Sequence, residues 1–546
     1  MIGDCKKCQA QLVALAMLLA LLGALTMPTT ADASDVTPFN VAVPEVSGPI
    51  ASDDSSFPYI ADGFDVEPPV PFGYVEEEFL VSGTGNIYEY TQTGIRVVDP
   101  CPEIAERGCT NLSYTTRMLV KRPRDLRDFS GTVIIEPLNP SAGFDIAAVW
   151  DRSASYIVRK GHVFVGWTSK SVVVSALQDW DPKRYAALNW PYVPSPDMSV
   201  NDGVYDGITF DIAAQIGAFF RNNGPGSPLH GAEVQHVIEA GFSQDGGFTF
   251  TQADFFHRLE RMPGDLPIYD GYVPGGTTGP SNLNFGLTAA GILPPDDMRR
   301  AMQPREAPVI HVNTETEIFL GSLNPVPGLA YRRPDGDDPD DRYRLWEVPG
   351  ASHVSNDSND PVLILQLNPA ELGRISTAQL GAIGCTHQEF VNGPARGVPS
   401  VVDPNNFPFS FVVNAAFANL IHWIDDGRPP PHADLIELDS STMPPTIVRD
   451  EFDNAQGGVR TPFLDVPTAT YVPFDSVAHE THFSRFCFLY GYNIPFDRDT
   501  LGSLYASHQQ YVARVRDEAT ELARQRLWLD ADAEDAVNRA AHARVP

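Results

Sequence analysis

Residues Val237 to Phe255 read VIEAGFSQDGGFTFTQADF, an apolar run that ends in Gly241-Phe242-Ser243 and passes through Gly246 and Gly247 into a helical pattern. A serine on so tight a strand-to-helix turn is lifted clear of a sheet, and the backbone N–H after it points where an oxyanion would form. The chemistry implied is acyl transfer, with Ser243 as nucleophile and Gln244 as a backbone donor. The usual pattern is G-x-S-x-G. Here Asp245 holds the last position and glycine follows one residue later, so Gly246 and Gly247 would supply the close backbone approach one step along. An ordinary serine on a glycine-rich turn is the competing reading, because such short patterns recur by chance.

A serine nucleophile needs a base to take its proton and an acid to orient that base. Behind an elbow of this kind the chain order is serine, acid, histidine. Ala307 to Asn313 (APVIHVN) runs into Thr314-Glu315-Thr316-Glu317, and Tyr343 to Val348 (YRLWEV) runs into Pro349-Gly350-Ala351-Ser352-His353. Both segments end apolar strands, so they bring carboxylates and an imidazole to strand ends. Counting from the proline that opens the first strand, Glu317 falls where the acid of such hydrolases sits. Glu315 is the alternative acid, and otherwise it would bond to the loop or sit beside the histidine. The second oxyanion donor should come from the loop Pro137 to Gly143, after the apolar run Gly131 to Glu136. Pro140 has no N–H, which leaves Asn139, with Ser141 as the alternative. Each donor of this type is worth about 3 kcal/mol of barrier.

The elements that must position these groups alternate between strand and helix patterns. After a proline-, aspartate- and serine-rich arm from Ser34 to about Pro71, strand-like pieces occur at Glu78 to Leu80, Asn86 to Tyr90, Gly94 to Val98 and Tyr114 to Val120. This is a β-rich N-terminal lead-in. Then come a buried strand at Gly131 to Glu136, a helix at Ile146 to Lys160 and a strand at His162 to Trp167. A helix at Ile208 to Arg221 precedes the elbow strand and another, Phe248 to Leu259, follows it. Further strands are expected at Leu266 to Tyr272, Ala307 to Asn313 and Tyr343 to Val348. Such alternation predicts a mostly parallel, doubly wound α/β sheet with its chemistry at the C-terminal strand ends. The aromatic stretch from residue 169 to 202, with Trp180, Tyr185, Trp190 and Tyr192, reads as a cap insertion or as packing against the core. Residues 354–546 form a long extension with a helix at Phe409 to Ile424 and mostly helical sequence from Ala506 to Arg544.

Residues 1–33 read as a secretory signal: Lys6 and Lys7, an apolar run from Leu12 to Met27, and Ala31-Asp32-Ala33 as a cleavage site. A secreted or periplasmic product of about 510 residues follows. No later stretch has the roughly 20 apolar residues of a membrane span. Removing the signal leaves Cys101, Cys109, Cys385 and Cys487. An even number of cysteines in an exported chain predicts two disulfides. Cys101–Cys109 would staple one loop and leave Cys385–Cys487, although sequence alone permits three pairings. No C-x-x-C or H-x-x-x-H pair survives to suggest zinc, so no metal is expected. The run Pro334 to Asp341 lacks EF-hand spacing and reads as a solvated acidic loop. The net charge of -32 argues for solubility and against nucleic acid as a partner.

Several segments together resemble the large secreted proteins of the alpha/beta hydrolase domain (type 10) family. They are YTTRMLVKRP (Tyr114 to Pro123), GTVIIEPLNP (Gly131 to Pro140), GFSQDGG (Gly241 to Gly247), HVNTETE (His311 to Glu317), RLWEVPGASH (Arg344 to His353) and RDEFDNAQGGVRTPFLDVPTATY (Arg449 to Tyr471). The family's G-x-S-Q-S-G elbow matches Gly241, Ser243, Gln244 and Gly246, with Asp245 in place of a serine. Its T-E-T-D/E and G-x-x-H segments fall on Thr314 to Glu317 and Gly350 to His353. The resemblance implies an α/β-hydrolase fold over residues 72–546 and a serine hydrolase of esters that needs no cofactor. A carboxylate as close as Asp245 could perturb the histidine. Three functional readings follow: an exported carboxylic ester hydrolase, an exported depolymerase of a polyester or acylated polysaccharide, and a non-catalytic binding protein of the same fold. The substrate is accordingly a small-molecule or polymeric ester.

Overall fold

Six segments, five of them buried along their whole length, form the parallel centre of a ten-stranded sheet, as expected when helices cover both sides. The computed structural model describes residues 36–51, 56–57, 73–91, 94–98, 109–141, 143–193, 205–284, 293, 297–318, 332–355, 403–442, 445–474, 489 and 491–546. In chain order the strands of this sheet are β1 (Glu45–Ile50), β2 (Tyr74–Gly85), β3 (Leu112–Pro123), β4 (Thr132–Leu138) and β5 (Val163–Thr168). They continue as β6 (His236–Phe242), β7 (Gly271–Gly275), β8 (Val309–Thr314), β9 (Gly336–Asp338) and β10 (Asp341–Val348). Their order across the sheet is β9-β10-β8-β7-β6-β4-β5-β3-β2-β1. The run from β10 to β5 is parallel, and antiparallel pairs close both sides.

Strands β6, β8 and β10 carry their chemistry in the loops past their C-terminal ends, and β7 separates β6 from β8. The register sets Gly275 opposite both Phe242 and Val312, and Thr314 opposite Val348. Four helices flank the site: α1 (Ala148–Lys160), α2 (Ser171–Trp180), α3 (Thr209–Asn222) and α4 (Gln244–Thr251). Later come α5 (Ser410–Asp426), α6 (His508–Arg524) and α7 (Asp530–His542). One apolar core lies between the sheet and α3, and a second joins the sheet to α1, α5, α6 and α7.

Three expectations change. The arm expected to be irregular contributes β1, which pairs with β2. Gly48-Pro49 inside it masked the strand, and Pro within a strand belongs at a sheet edge, where β1 lies. The helix after the elbow begins at Gln244 rather than Phe248, because Asp245, Gly246 and Gly247 form its first turn. The strand expected at Leu266 to Tyr272 splits into Leu266–Pro267 and β7.

In the aromatic insertion, Trp180 of α2 and Tyr185 and Leu188 beyond it cluster with Phe144 of the loop after β4, whereas Tyr192 is exposed. The acidic run is partly β9, and three of its aspartates are paired: Asp341 with Arg333, and Asp335 and Asp337 with Arg344 and His432. Of the four cysteines, only Cys109 is described. It is buried and disulfide-bonded. Cys101, Cys385 and Cys487 lie outside the described residues, as do residues 1–33. Among the described residues, no helix is long and apolar enough to cross a membrane.

Candidate active site

Ser243 sits between β6 and α4 with φ 70° and ψ −122°, a backbone conformation that costs an L-residue energy and persists only where its surroundings enforce it. Two glycines allow that enforcement. A Cβ on Gly246 would stand 2.0 Å from the Gly275 carbonyl oxygen, and one on Gly241 would stand 2.3 Å from the Asp245 carbonyl oxygen. The strand end of β7 and the first turn of α4 therefore press directly on the elbow. The Ser243 N–H donates to the Gly275 carbonyl at 3.0 Å, and the Ser243 carbonyl accepts the Gly247 N–H at 3.0 Å. The requirement that G-x-S-x-G meets with its last glycine is met here one residue later. Ser243 itself remains partly open to solvent.

The serine faces an imidazole and a carboxylate in line. Ser243 Oγ is 2.8 Å from His353 Nε2, and His353 Nδ1 is 2.5 Å from Glu317 Oε1. Because a carboxylate only accepts, Nδ1 carries the ring proton and Nε2 presents its lone pair to the serine hydroxyl. Glu317 is buried, and its second oxygen accepts from the Thr314 N–H at 2.8 Å and the Thr314 hydroxyl at 2.6 Å. Burial works to raise this carboxyl, but the charge and hydrogen bond of His353 and the two bonds from Thr314 outweigh it and hold Glu317 below its ordinary value.

Glu315 takes the other role considered for it. One oxygen accepts the Gly350 N–H at 2.7 Å, and the other pairs with Arg449 at 2.8 Å. It anchors the loop that carries the histidine. Burial raises its carboxyl despite Arg449 and the Gly350 bond. Thr316 joins the same support, which sequence reasoning missed. Its hydroxyl accepts the His353 N–H at 2.9 Å and donates to the Pro473 carbonyl at 2.7 Å. The Asn405 amide donates to the Gly350 carbonyl at 2.9 Å, the Ser355 hydroxyl to the Phe407 carbonyl at 2.7 Å, and the Val354 N–H to the Leu489 carbonyl at 3.1 Å.

The loop after β4 departs from expectation. The Asn139 N–H donates to the Ile146 carbonyl at 2.8 Å, and the Ser141 N–H donates to Asn139 Oδ1 at 2.9 Å. Neither N–H is open to an oxyanion in this structure. Asn139 serves as a brace instead, its amide donating to the Phe242 carbonyl at 3.0 Å, while the Ser141 hydroxyl contacts Gln244 Oε1 at 3.0 Å. An asparagine side chain competes readily for nearby backbone groups, which is why a count of N–H groups along the loop misleads. The Gln244 N–H stands at the first position of α4, where no intrahelical carbonyl reaches it.

Asp245 does not face the imidazole. Its Oδ2 accepts the Phe242 N–H at 2.9 Å beneath the elbow. Burial pushes this carboxyl up to about 7, against its hydrogen bonds from the backbone and from Glu136 and the charge of Arg152. Burial and the charge of Asp245 carry Glu136, on β4, well above the usual carboxylate range. Two buried carboxyls in hydrogen-bond contact share a proton.

A family model described as "Alpha/beta hydrolase domain" matches residues 46–538. No curated protein matches the chain. Among solved structures, esterase Est22 is 11% identical at a TM-score of 0.30, covering 58% of this chain and 82% of its own. Esterase B from Lactobacillus rhamnosis is 12% identical at a TM-score of 0.26, covering 56% of this chain and 84% of its own. Dienelactone hydrolase from Anabaena variabilis is 13% identical at a TM-score of 0.25, covering 46% of this chain and 88% of its own. Likenesses this distant carry no argument about activity.

Proposed function

From the premise that the chain belongs to the alpha/beta hydrolase domain family, we propose that it is a serine-dependent carboxylic ester hydrolase exported from the cell. The observation that carries this reading is the unbroken line of contacts from Ser243 Oγ through His353 to Glu317. His353 Nε2 takes the hydroxyl proton as Oγ adds to the ester carbonyl, and Glu317 steadies the imidazolium that forms. The imidazolium then protonates the departing alkoxide, leaving an acyl-Ser243 ester. Water, deprotonated by His353, attacks that ester, releases the acid and returns the proton to Oγ. The N–H of Gln244, at the N-terminal end of α4, is the proposed donor to the oxyanion and contributes about 3 kcal/mol to lowering the barrier. This cycle asks for no metal or organic cofactor. Export, and the disulfides that an oxidising compartment would permit, follow from the signal-like residues 1–33.

Hydrolysis of p-nitrophenyl esters of increasing acyl length, by wild type beside Ser243→Ala, tests the reading. Turnover that vanishes in the variant supports it, and the length profile sizes the acyl pocket. A polyester or acylated-polysaccharide depolymerase would turn over the polymer faster than any short ester. Silence of both proteins across esters and polymers would contradict hydrolysis and leave a non-catalytic binding protein.

A further inference from the structure

We infer that Arg152 is a positioning residue for this reaction, holding the histidine loop against the strand that carries the nucleophile. The inference rests on the proposed roles of Ser243 and His353. Arg152 lies on α1 with 5% of its surface exposed. One guanidinium nitrogen donates to the His353 carbonyl at 2.9 Å, and the other donates to the Ala148 carbonyl at 2.9 Å within its own helix. The guanidinium carbon stands 3.7 Å from the centre of the Phe242 ring. That ring in turn lies 5.1 Å from the His353 imidazole. Phe242 immediately precedes Ser243 in the chain, so one side chain touches the residue before the nucleophile and the backbone of the proposed base.

Burying a guanidinium costs several kcal/mol unless charges and hydrogen bonds compensate it. Compensation is assembled around this one from the Ala148 and His353 carbonyls and the face of the Phe242 ring, with the buried Asp245 and Glu136 carboxyls nearby. A hydrocarbon of the same volume would fill the space between α1 and β6 without these groups. What it could not supply is the bond to the His353 carbonyl. That bond limits how far the imidazole can swing from Ser243 Oγ, and a displacement of about 1 Å at a reacting pair costs roughly 100-fold in rate.

The test uses the full exported chain. Arg152→Met keeps volume and removes both donors, whereas Arg152→Lys keeps a cationic donor long enough to approach the His353 carbonyl. Each is measured for kcat and KM on the best p-nitrophenyl ester, for the rate of fluorophosphonate labelling, and for its melting transition. The expected result is a folded Arg152→Met whose kcat and labelling rate fall together by ~10- to 100-fold with KM nearly unchanged, and an Arg152→Lys that recovers part of the loss. Wild-type kcat in folded Arg152→Met would overturn the inference, as would a loss seen in KM alone or one accounted for by the unfolded fraction. Should Arg152→Met not fold, Arg152→Gln, whose amide is too short to reach the His353 carbonyl, decides by the same kcat and labelling criteria. A wild type that neither turns over nor labels would overturn the hydrolase reading and this inference with it; an active wild type with an unaffected variant overturns this inference alone.

Discussion

Ser243 and His353 reach the same edge of the sheet by different means. The serine is held by backbone: its own N–H on the Gly275 carbonyl, its carbonyl on Gly247, and two glycines that let β7 and α4 close on the turn. Apart from Gly275 and the Asn139 amide on the Phe242 carbonyl, every group involved lies within a few residues of the serine. The histidine is held from far along the chain. Glu315 grips the Gly350 N–H, Thr316 the His353 N–H, Arg152 the His353 carbonyl, Asn405 and Leu489 the flanking backbone, and Phe407 the Ser355 hydroxyl. A nucleophile fixed by local sterics needs little else, whereas a base on a loop after the last parallel strand needs neighbours to define it. The extension after residue 354 supplies several of them, which gives that part of the chain a role beyond covering the sheet.

The contrast breaks most violently at the elbow. Gly246→Ala sets a methyl group against the Gly275 carbonyl oxygen, 2.0 Å away, and the backbone has no slack to yield. A loss above about 3 kcal/mol is expected, read as failure to recover folded protein or as a collapsed melting transition. Gly226→Ala, with nothing within 4 Å, is the control and should stay within about 0.5 kcal/mol of wild type.

On the histidine side the expected losses are in rate rather than in folding. Glu317→Gln removes the charge that faces Nδ1 and should lower kcat by roughly 10,000-fold. Glu315→Gln keeps an acceptor for the Gly350 N–H but gives up the pairing with Arg449, and about 10-fold is expected. Steady-state kinetics of the two variants side by side separates orienting acid from loop anchor; equal losses would merge the roles. Thr316→Val should slow turnover to about the same extent. It strands the His353 N–H and the Pro473 carbonyl, costing about 1–3 kcal/mol of stability, with kcat reduced ~10-fold as the loop loosens. A kcat unchanged by Thr316→Val would show that the extension merely packs beside the loop.

The smallest effect lies beneath the elbow. Asp245 is raised from 3.8 to about 7, so the folded state favours its neutral form. Its contribution to stability is complete below about pH 4 and is lost as pH rises toward 7. Asp245→Asn removes that titration while keeping an acceptor for the Phe242 N–H. The fall in melting temperature between pH 5 and pH 8 should therefore narrow by ~2 °C, measurable by calorimetry at the two pH values.

The same contrast explains what could be read in the sequence. The elbow was legible because its determinants are contiguous. The carboxylate that meets His353 Nδ1 was legible as Glu317 rather than Glu315 by counting from the proline that opens β8. Five of the six parallel strands were legible as apolar runs, while β7 was read too early in the chain and β1 was hidden by Gly48-Pro49. Thr316, Asn405 and Pro473 were not legible, since their importance arises only where distant segments meet. Arg152 read as one polar residue of an amphipathic helix. Asn139 misled because its side chain, not its backbone, decides what the loop can donate.

The most direct test of the central claim is the site of covalent modification by a fluorophosphonate, located by mass spectrometry on wild type and on Ser243→Ala. A single adduct on the peptide containing Ser243, absent from the variant and formed slowly in Glu317→Gln, is the predicted result. A protein that hydrolyses esters yet carries the adduct elsewhere, or carries none, would contradict Ser243 as the nucleophile.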